Sequence, residues 1–111
     1  MVLIVGGAYQ GKLSWAVKEY HLTDDDICDL AAGFVPGKRC YFHLEELTRR
    51  NEPADFPPDA IVVAQEIGGG IVPLSGAERA WRERHGACLQ KLASQAERVV
   101  RIFCGLPEVL K

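Results

Sequence analysis

Residues 2–15, VLIVGGAYQGKLSW, constrain the fold more than any other stretch of the chain. Val2 to Val5 is an unbroken apolar run, the pattern of a strand buried on both faces. Gly6, Gly7 and Gly11 then make a flexible turn. From Lys12 to Tyr20 the apolar residues Leu13, Ala16, Val17 and Tyr20 recur at helical spacing. Strand, glycine turn and helix in that order is also the setting of a phosphate-binding loop. Gly6, Gly11 and Lys12 stand at the Gly-x-x-x-x-Gly-Lys spacing of such a loop. Backbone N–H groups and a helix N-terminus converge there on an anion, glycines let the phosphates approach, and the lysine adds a point charge. The candidate phosphate-binding residues are therefore Gly6, Gly7, Ala8, Gln10, Gly11, Lys12, Leu13 and Ser14. One position departs from the pattern. Leu13 stands where a Ser or Thr hydroxyl would ligate Mg²⁺. Ser14 is one residue on, about 100° further around a helix, so its hydroxyl is expected to point elsewhere. A glycine-rich turn that binds nothing is the alternative reading.

The rest of the chain continues the α/β pattern. HLTDDD reads as a polar loop, ICDL as a short second strand, and AAGFVPGKR as loop. His43 to Arg50 has helical spacing at Leu44 and Leu47, with acidic residues early and basic residues late, which suits a helix dipole. After the proline-rich NEPADFPPD, Ala60 to Ala64 is β-branched and apolar throughout, the pattern of a central strand. QEIGGGIVPLSG is a glycine-rich loop. Ser75 and Glu78 form a capping box for a helix to about Gln95, with Ala77, Trp81, Cys88, Leu89 and Leu92 as its apolar stripe. VVRIFC is expected to be the last strand, ended by Gly105 and Pro107. Helices alternating with doubly buried strands predict an α/β fold with a mostly parallel sheet flanked by helices. With 111 residues the chain is expected to form a single domain, 1–111.

Composition narrows the partners. The net charge of −2 gives no basic field for nucleic acid or an anionic membrane, and no apolar stretch nears the ~20 residues of a membrane span. MVLIV is too short for a signal peptide, so the expected compartment is the cytoplasm. Cys28, Cys40, Cys88 and Cys104 fit no zinc spacing and are expected to be buried free thiols; no metal site is expected from them or from His21, His43 and His85.

The carboxyl half carries a resemblance. Glu66, Gly68, Gly70, Ile71, Val72 and Pro73, then Arg79, Trp81, Arg82 and Glu83, then Gly86 and Gln90, and finally Gly105 and Pro107 make the chain similar to the adenosylcobinamide kinase / adenosylcobinamide-phosphate guanylyltransferase (CobU) family. Gly6, Gly7, Ala8, Gly11 and Lys12 match the opening of that family as well. The resemblance covers the first ~20 and last ~50 residues. It implies a P-loop α/β fold, here reduced in size, and ATP or GTP as nucleotide with Mg²⁺. It also implies a corrinoid substrate phosphorylated on a hydroxyl, and a homo-oligomer, usually a trimer.

The departures matter as much. Leu13 removes the Mg²⁺ hydroxyl, Leu89 replaces an Asn, and the family's guanylylated-histidine segment has no counterpart. His43 lacks that segment's neighbours and reads as a surface residue at a helix N-terminus, so the guanylyltransferase step is expected to be absent. Lys12 and Glu66 are the candidate catalytic residues. Glu66 follows a central strand, where ligands bind in parallel sheets, and would orient a metal-bound water or act as base, or else cap the glycine loop. Asp29 is either close to the phosphates or a turn residue. Arg79 and Arg82 share a helix face that meets phosphates, a neighbouring subunit or solvent. Two functions stay open: a reduced kinase acting on adenosylcobinamide, and a catalytically inactive nucleotide-binding, regulatory or oligomeric protein.

Overall fold

In the computed structural model, residues 1–67 and 75–111 are described. The glycine-rich stretch that carries much of the family resemblance, from Gly68 to Leu74, lies outside them. Among the described residues the elements in chain order are β1 (Val2–Gly6), α1 (Lys12–Tyr20), β2 (Ile27–Asp29), β3 (Cys40–Phe42), α2 (Leu44–Arg49), β4 (Ile61–Gln65), α3 (Gly76–Gln95), β5 (Arg98–Phe103) and β6 (Leu106–Val109). The strands form one sheet in the order β2-β3-β4-β1-β5-β6, parallel except for the β5–β6 pair. This is the expected α/β architecture.

The apolar runs explain the layers. In β1, Leu3 and Val5 point into one core with Val62, Ala64 and Val99, closed by Leu44 and Leu47 of α2 and Leu92 of α3. Ile4 points the opposite way, into a second core with Val63, Val100 and Ile102, closed by Ala16 of α1. A strand that must satisfy both faces has no room for polar residues, which is why VLIV and AIVVA are continuous rather than alternating.

Four expectations change. CYF is a strand, β3, too short to show a period. VVRIFC is not the last strand: Cys104 (φ 52) and Gly105 (φ 75) make a two-residue turn, and Leu106–Val109 returns antiparallel. Pro107 sits within β6 opposite Ile102 instead of ending the sheet, and an edge strand tolerates the missing N–H. In α3, Ala77 is exposed, and His85 takes a place in the buried face beside Trp81 and Leu92. Cys28 and Cys40 are buried as expected, but Cys88 is half-buried and Cys104 is exposed.

Gly6 closes the β1–β5 contact. A Cβ there would lie 2.5 Å from the carbonyl oxygen of Ile102, a backbone atom that cannot swing aside. Gly6→Ala is expected to lower the unfolding free energy by about 2–3 kcal/mol, the upper part of the overpacking range. Urea unfolding of the two proteins measures it; equal stability would mean that the strands part without cost.

Candidate functional site

β1 delivers the chain to the carboxyl edge of the sheet, and α1 carries it away. Between them, Tyr9 (φ 59) and Gly11 (φ 87) take left-handed backbone conformations that reverse the chain direction. Gly11 is the N-cap of α1 and offers no side-chain oxygen. The orphan N–H groups of the first helical turn are thus left to an external acceptor, at the positive end of the helix dipole.

Lys12 folds back over this loop, its Nζ donating to Gly7 O at 2.6 Å. Burial pulls the lysine pKa below its usual value, while the carboxylates of Glu45 and Glu66 pull it back up. The loop is tied to the far hairpin through Gln10. Cys104 N donates to Gln10 Oε1 at 2.6 Å, and Gly105 N donates to Gln10 O at 2.9 Å. Both carbonyl oxygens of Gln10 thus serve to hold the loop's shape.

Two openings flank Lys12 and divide the predicted residues. The first, a cavity of about 360 Å³, is lined by Ala8, Gln10, Gly11, Lys12, Leu13 and Ser14 of the loop. Ser14, expected to point away, shares this cavity with Leu13, which also packs on the second core. The second opening holds Gly7, Glu66, Leu89 and Arg101. Glu66 is therefore not on the wall of the Lys12 cavity. Its N–H donates to Gly6 O at 2.8 Å, continuing the β1–β4 pairing, and its carboxylate lies 3.4 Å from Arg101 Nε. Gly6 lines neither opening and serves the strand packing.

Sequence reasoning missed the opposite wall of the first cavity, which Phe42, His43, Glu45 and Gln65 supply. Glu45 lies on the first turn of α2 but is buried, and its Oε1 accepts from Gln65 N at 2.9 Å. It thereby caps the open end of β4. His43 is the exposed helix N-terminal residue expected, and it has a partner that the sequence did not show. It is the N-cap of α2 at φ 64, and its Nδ1 lies 2.8 Å from Asp29 Oδ1. A left-handed non-glycine residue costs about 1–3 kcal/mol unless its surroundings hold it, and such residues gather at functional sites. Nothing in HLEELTRR alone marks Glu45 as buried. Only the placement of β3 beside β4 does so.

Behind this wall lies a buried polar network. His85 on α3 places Nε2 2.7 Å from Gln65 O and Nδ1 2.8 Å from Thr48 Oγ1. A carbonyl only accepts, so Nε2 carries the proton and Nδ1 accepts from the threonine hydroxyl. Trp81 Nε1 donates to Glu45 O and to Thr48 Oγ1. Arg84 donates to the carbonyls of Thr48 and Arg49, satisfying the last turn of α2. Ser75 Oγ accepts from Glu78 N as the capping box requires, while the Glu78 carboxylate accepts from Arg49 Nη1. The network locks α3, α2 and the end of β4 together.

It also makes stability depend on pH. Burial lowers the His85 pKa from 6.5, with the Gln65 carbonyl and Glu45 acting against the shift. The folded state thus favours the neutral ring. Its contribution is complete above the unfolded value and is lost as pH falls through that value towards the lowered one. Unfolding free energy is expected to drop more steeply from about pH 7 to about pH 5 in the wild type than in His85→Gln. Parallel curves from urea titrations across that range would show that His85 does not titrate on unfolding.

Among the described residues no group of three or more His, Cys, Asp or Glu could hold a metal ion, and no helix is long and apolar enough to cross a membrane. Leu13 offers no donor at the Mg²⁺ position, so the loop does not fit a protein-held Mg²⁺. A family model described as cobinamide kinase / cobinamide phosphate guanyltransferase (CobU) matches residues 37–110, from just before β3 through β6. The match takes in central residues that the resemblance had left out, and the Gly6–Ser14 loop lies outside it. No curated protein matches the chain. With more than half of its length matched, the chain belongs to the CobU family, whose role lies in cobinamide metabolism and whose members use ATP or GTP.

Proposed function

We propose that this family member binds the phosphates of ATP or GTP on the Gly6–Ser14 loop and transfers the terminal phosphoryl group to a hydroxyl of a cobinamide. The observation that carries the reading is Lys12, held across the loop by Gly7 O and lining one cavity with the first turn of α1. Phosphoryl transfer asks mostly for positioning and charge stabilisation, and a lysine with a helix N-terminus supplies both. Ala8, Gln10, Gly11, Lys12 and Ser14 bound the phosphates, while Gly6 and Gly7 allow the loop its path. Glu66 acts on Lys12 through its field and keeps the β4 end in place. Any Mg²⁺ arrives with the nucleotide, held by phosphates and water, as is usual for this ion.

The protein carries out the kinase step without the guanylyl transfer, in the cytoplasm and as a homo-oligomer, for which Phe103, Leu106, Val109 and Leu110 provide exposed apolar surface on the edge hairpin. A second reading, nucleotide binding without transfer, is favoured by Leu13, whose side chain fills the metal-ligand position with hydrocarbon.

Titrating ATP and GTP with and without Mg²⁺, and following nucleoside diphosphate release with adenosylcobinamide, separates the two. Binding with turnover supports the kinase. Binding without turnover leaves the second reading, and turnover regained in Leu13→Ser would trace the loss to the missing hydroxyl. Absence of binding to either nucleotide sinks both.

A further inference from the structure

β2 and β3 run parallel with Asp29 opposite Phe42, so Asp29 and His43 leave the sheet together at its carboxyl end. Asp29 Oδ1 accepts from Ala31 N at 2.9 Å and lies 2.8 Å from His43 Nδ1. An ionised carboxylate only accepts, so Nδ1 bears the proton and Nε2 keeps its lone pair. Among the described residues Nε2 has no hydrogen-bond partner. The ring lines the same cavity as Gly11, Lys12 and Ser14. A base oriented by a third group, facing a phosphate cradle, is the arrangement that activates a hydroxyl.

We infer that His43, oriented by Asp29, is the proton acceptor for the hydroxyl that receives the phosphoryl group in this cavity. The inference rests on the phosphoryl-transfer reading above. The hydroxyl oxygen forms a bond to the γ-phosphorus. The bond from that phosphorus to the bridging oxygen breaks, and its electron pair stays on the nucleoside diphosphate. The hydroxyl proton passes to Nε2, giving an imidazolium beside the Asp29 carboxylate, and then to solvent. The other carboxylates near Lys12 are committed elsewhere. Glu45 caps the β4 end through Gln65 N, and Glu66 pairs with Arg101 in the neighbouring opening. This is proton transfer by an imidazole that stays unmodified, distinct from carrying a nucleotidyl group.

The test uses the full chain and two variants compatible with the left-handed backbone at position 43. Glycine adopts φ 64 freely and asparagine does so more readily than most residues. His43→Asn and His43→Gly are expected to keep ATP affinity and to lose about 10²–10⁴-fold in kcat for adenosylcobinamide phosphorylation. Added imidazole should restore part of that kcat in His43→Gly, which holds a ring-sized gap, and none in Lys12→Ala. Asp29→Asn should lower kcat without moving ATP affinity. Wild-type kcat in either His43 variant overturns the assignment. So does a loss that imidazole leaves untouched in a folded, ATP-binding His43→Gly. A wild-type chain that binds ATP and transfers nothing overturns the phosphoryl-transfer reading, and this assignment with it.

Discussion

Lys12→Ala is expected to weaken ATP and GTP binding by about 10–100-fold, the range for losing a hydrogen bond to a charged group. Transfer to the acceptor should fall below detection. On the proposed reading the ammonium has two duties. In the free protein it donates to Gly7 O, which keeps the loop closed. With nucleotide present it meets the outer phosphates as a compact charge. Burial lowers its pKa, and Glu45 and Glu66 counter that effect from either side of the loop. The alanine variant loses the charge and leaves the Glu45 carboxylate on the cavity wall without it, which adds repulsion to the lost attraction. Stability should change little, by about 1 kcal/mol, since a single side-chain-to-backbone bond is removed. Calorimetric titration with each nucleotide, beside a thermal melt, reads both quantities. Unchanged affinity in a folded variant would mean that the phosphates do not sit on this loop.

The parts of the fold that were legible in the sequence are those with long, uniform patterns. VLIV and AIVVA had to be doubly buried strands, because no polar residue interrupts them, and they are neighbours in the centre of the sheet. Lys12–Tyr20 shows its helix through spacing alone. What escaped is short or depends on packing. CYF is three residues long, and only its partners on both sides make it a strand. The final hairpin was hidden by Gly105 and Pro107, residues that more often end structure than continue it. The site divides along the same line. The Gly6–Ser14 loop follows a local motif with a fixed spacing. Its facing wall comes from Phe42, His43, Glu45 and Gln65, with Asp29 holding His43 from behind, and these three separate segments meet only when β2, β3 and β4 align. Glu66 looked well placed because it directly follows a strand, yet it is Glu45, which the sequence did not single out, that reaches the cavity, from a helix. Proximity to a strand end fixes position along the sheet but not on which side of the loop a side chain falls.

Trp81→Ala should be the most damaging single change to the fold, lowering stability by about 3–5 kcal/mol, as large-to-small changes at buried aromatics do. The ring is buried, with the Arg49 guanidinium carbon 3.7 Å from its centroid. Its Nε1 donates to Glu45 O and Thr48 Oγ1, so it reaches from α3 to the start of α2 as well as filling space. A domain of this kind has about 5–15 kcal/mol in total, so the variant would sit near the edge of folding. Trp81→Phe separates the two contributions. It keeps most of the apolar area and loses the donor, taking one hydrogen bond each from the Glu45 carbonyl and the Thr48 hydroxyl, which retain other partners, at about 0.5–1.5 kcal/mol per bond. If the two variants lost equal stability by urea unfolding, the donor rather than the buried area would be what holds α2. The consequence for the site is directional. α2 carries Glu45 and begins at His43, so loosening its anchor displaces the wall facing the Gly6–Ser14 loop while the loop, tied separately through Gln10 to the Cys104–Gly105 turn, stays in place. Trp81→Phe should therefore retain nucleotide affinity and lose turnover, and a fall in affinity equal to the fall in turnover would show that the two walls do not act separately.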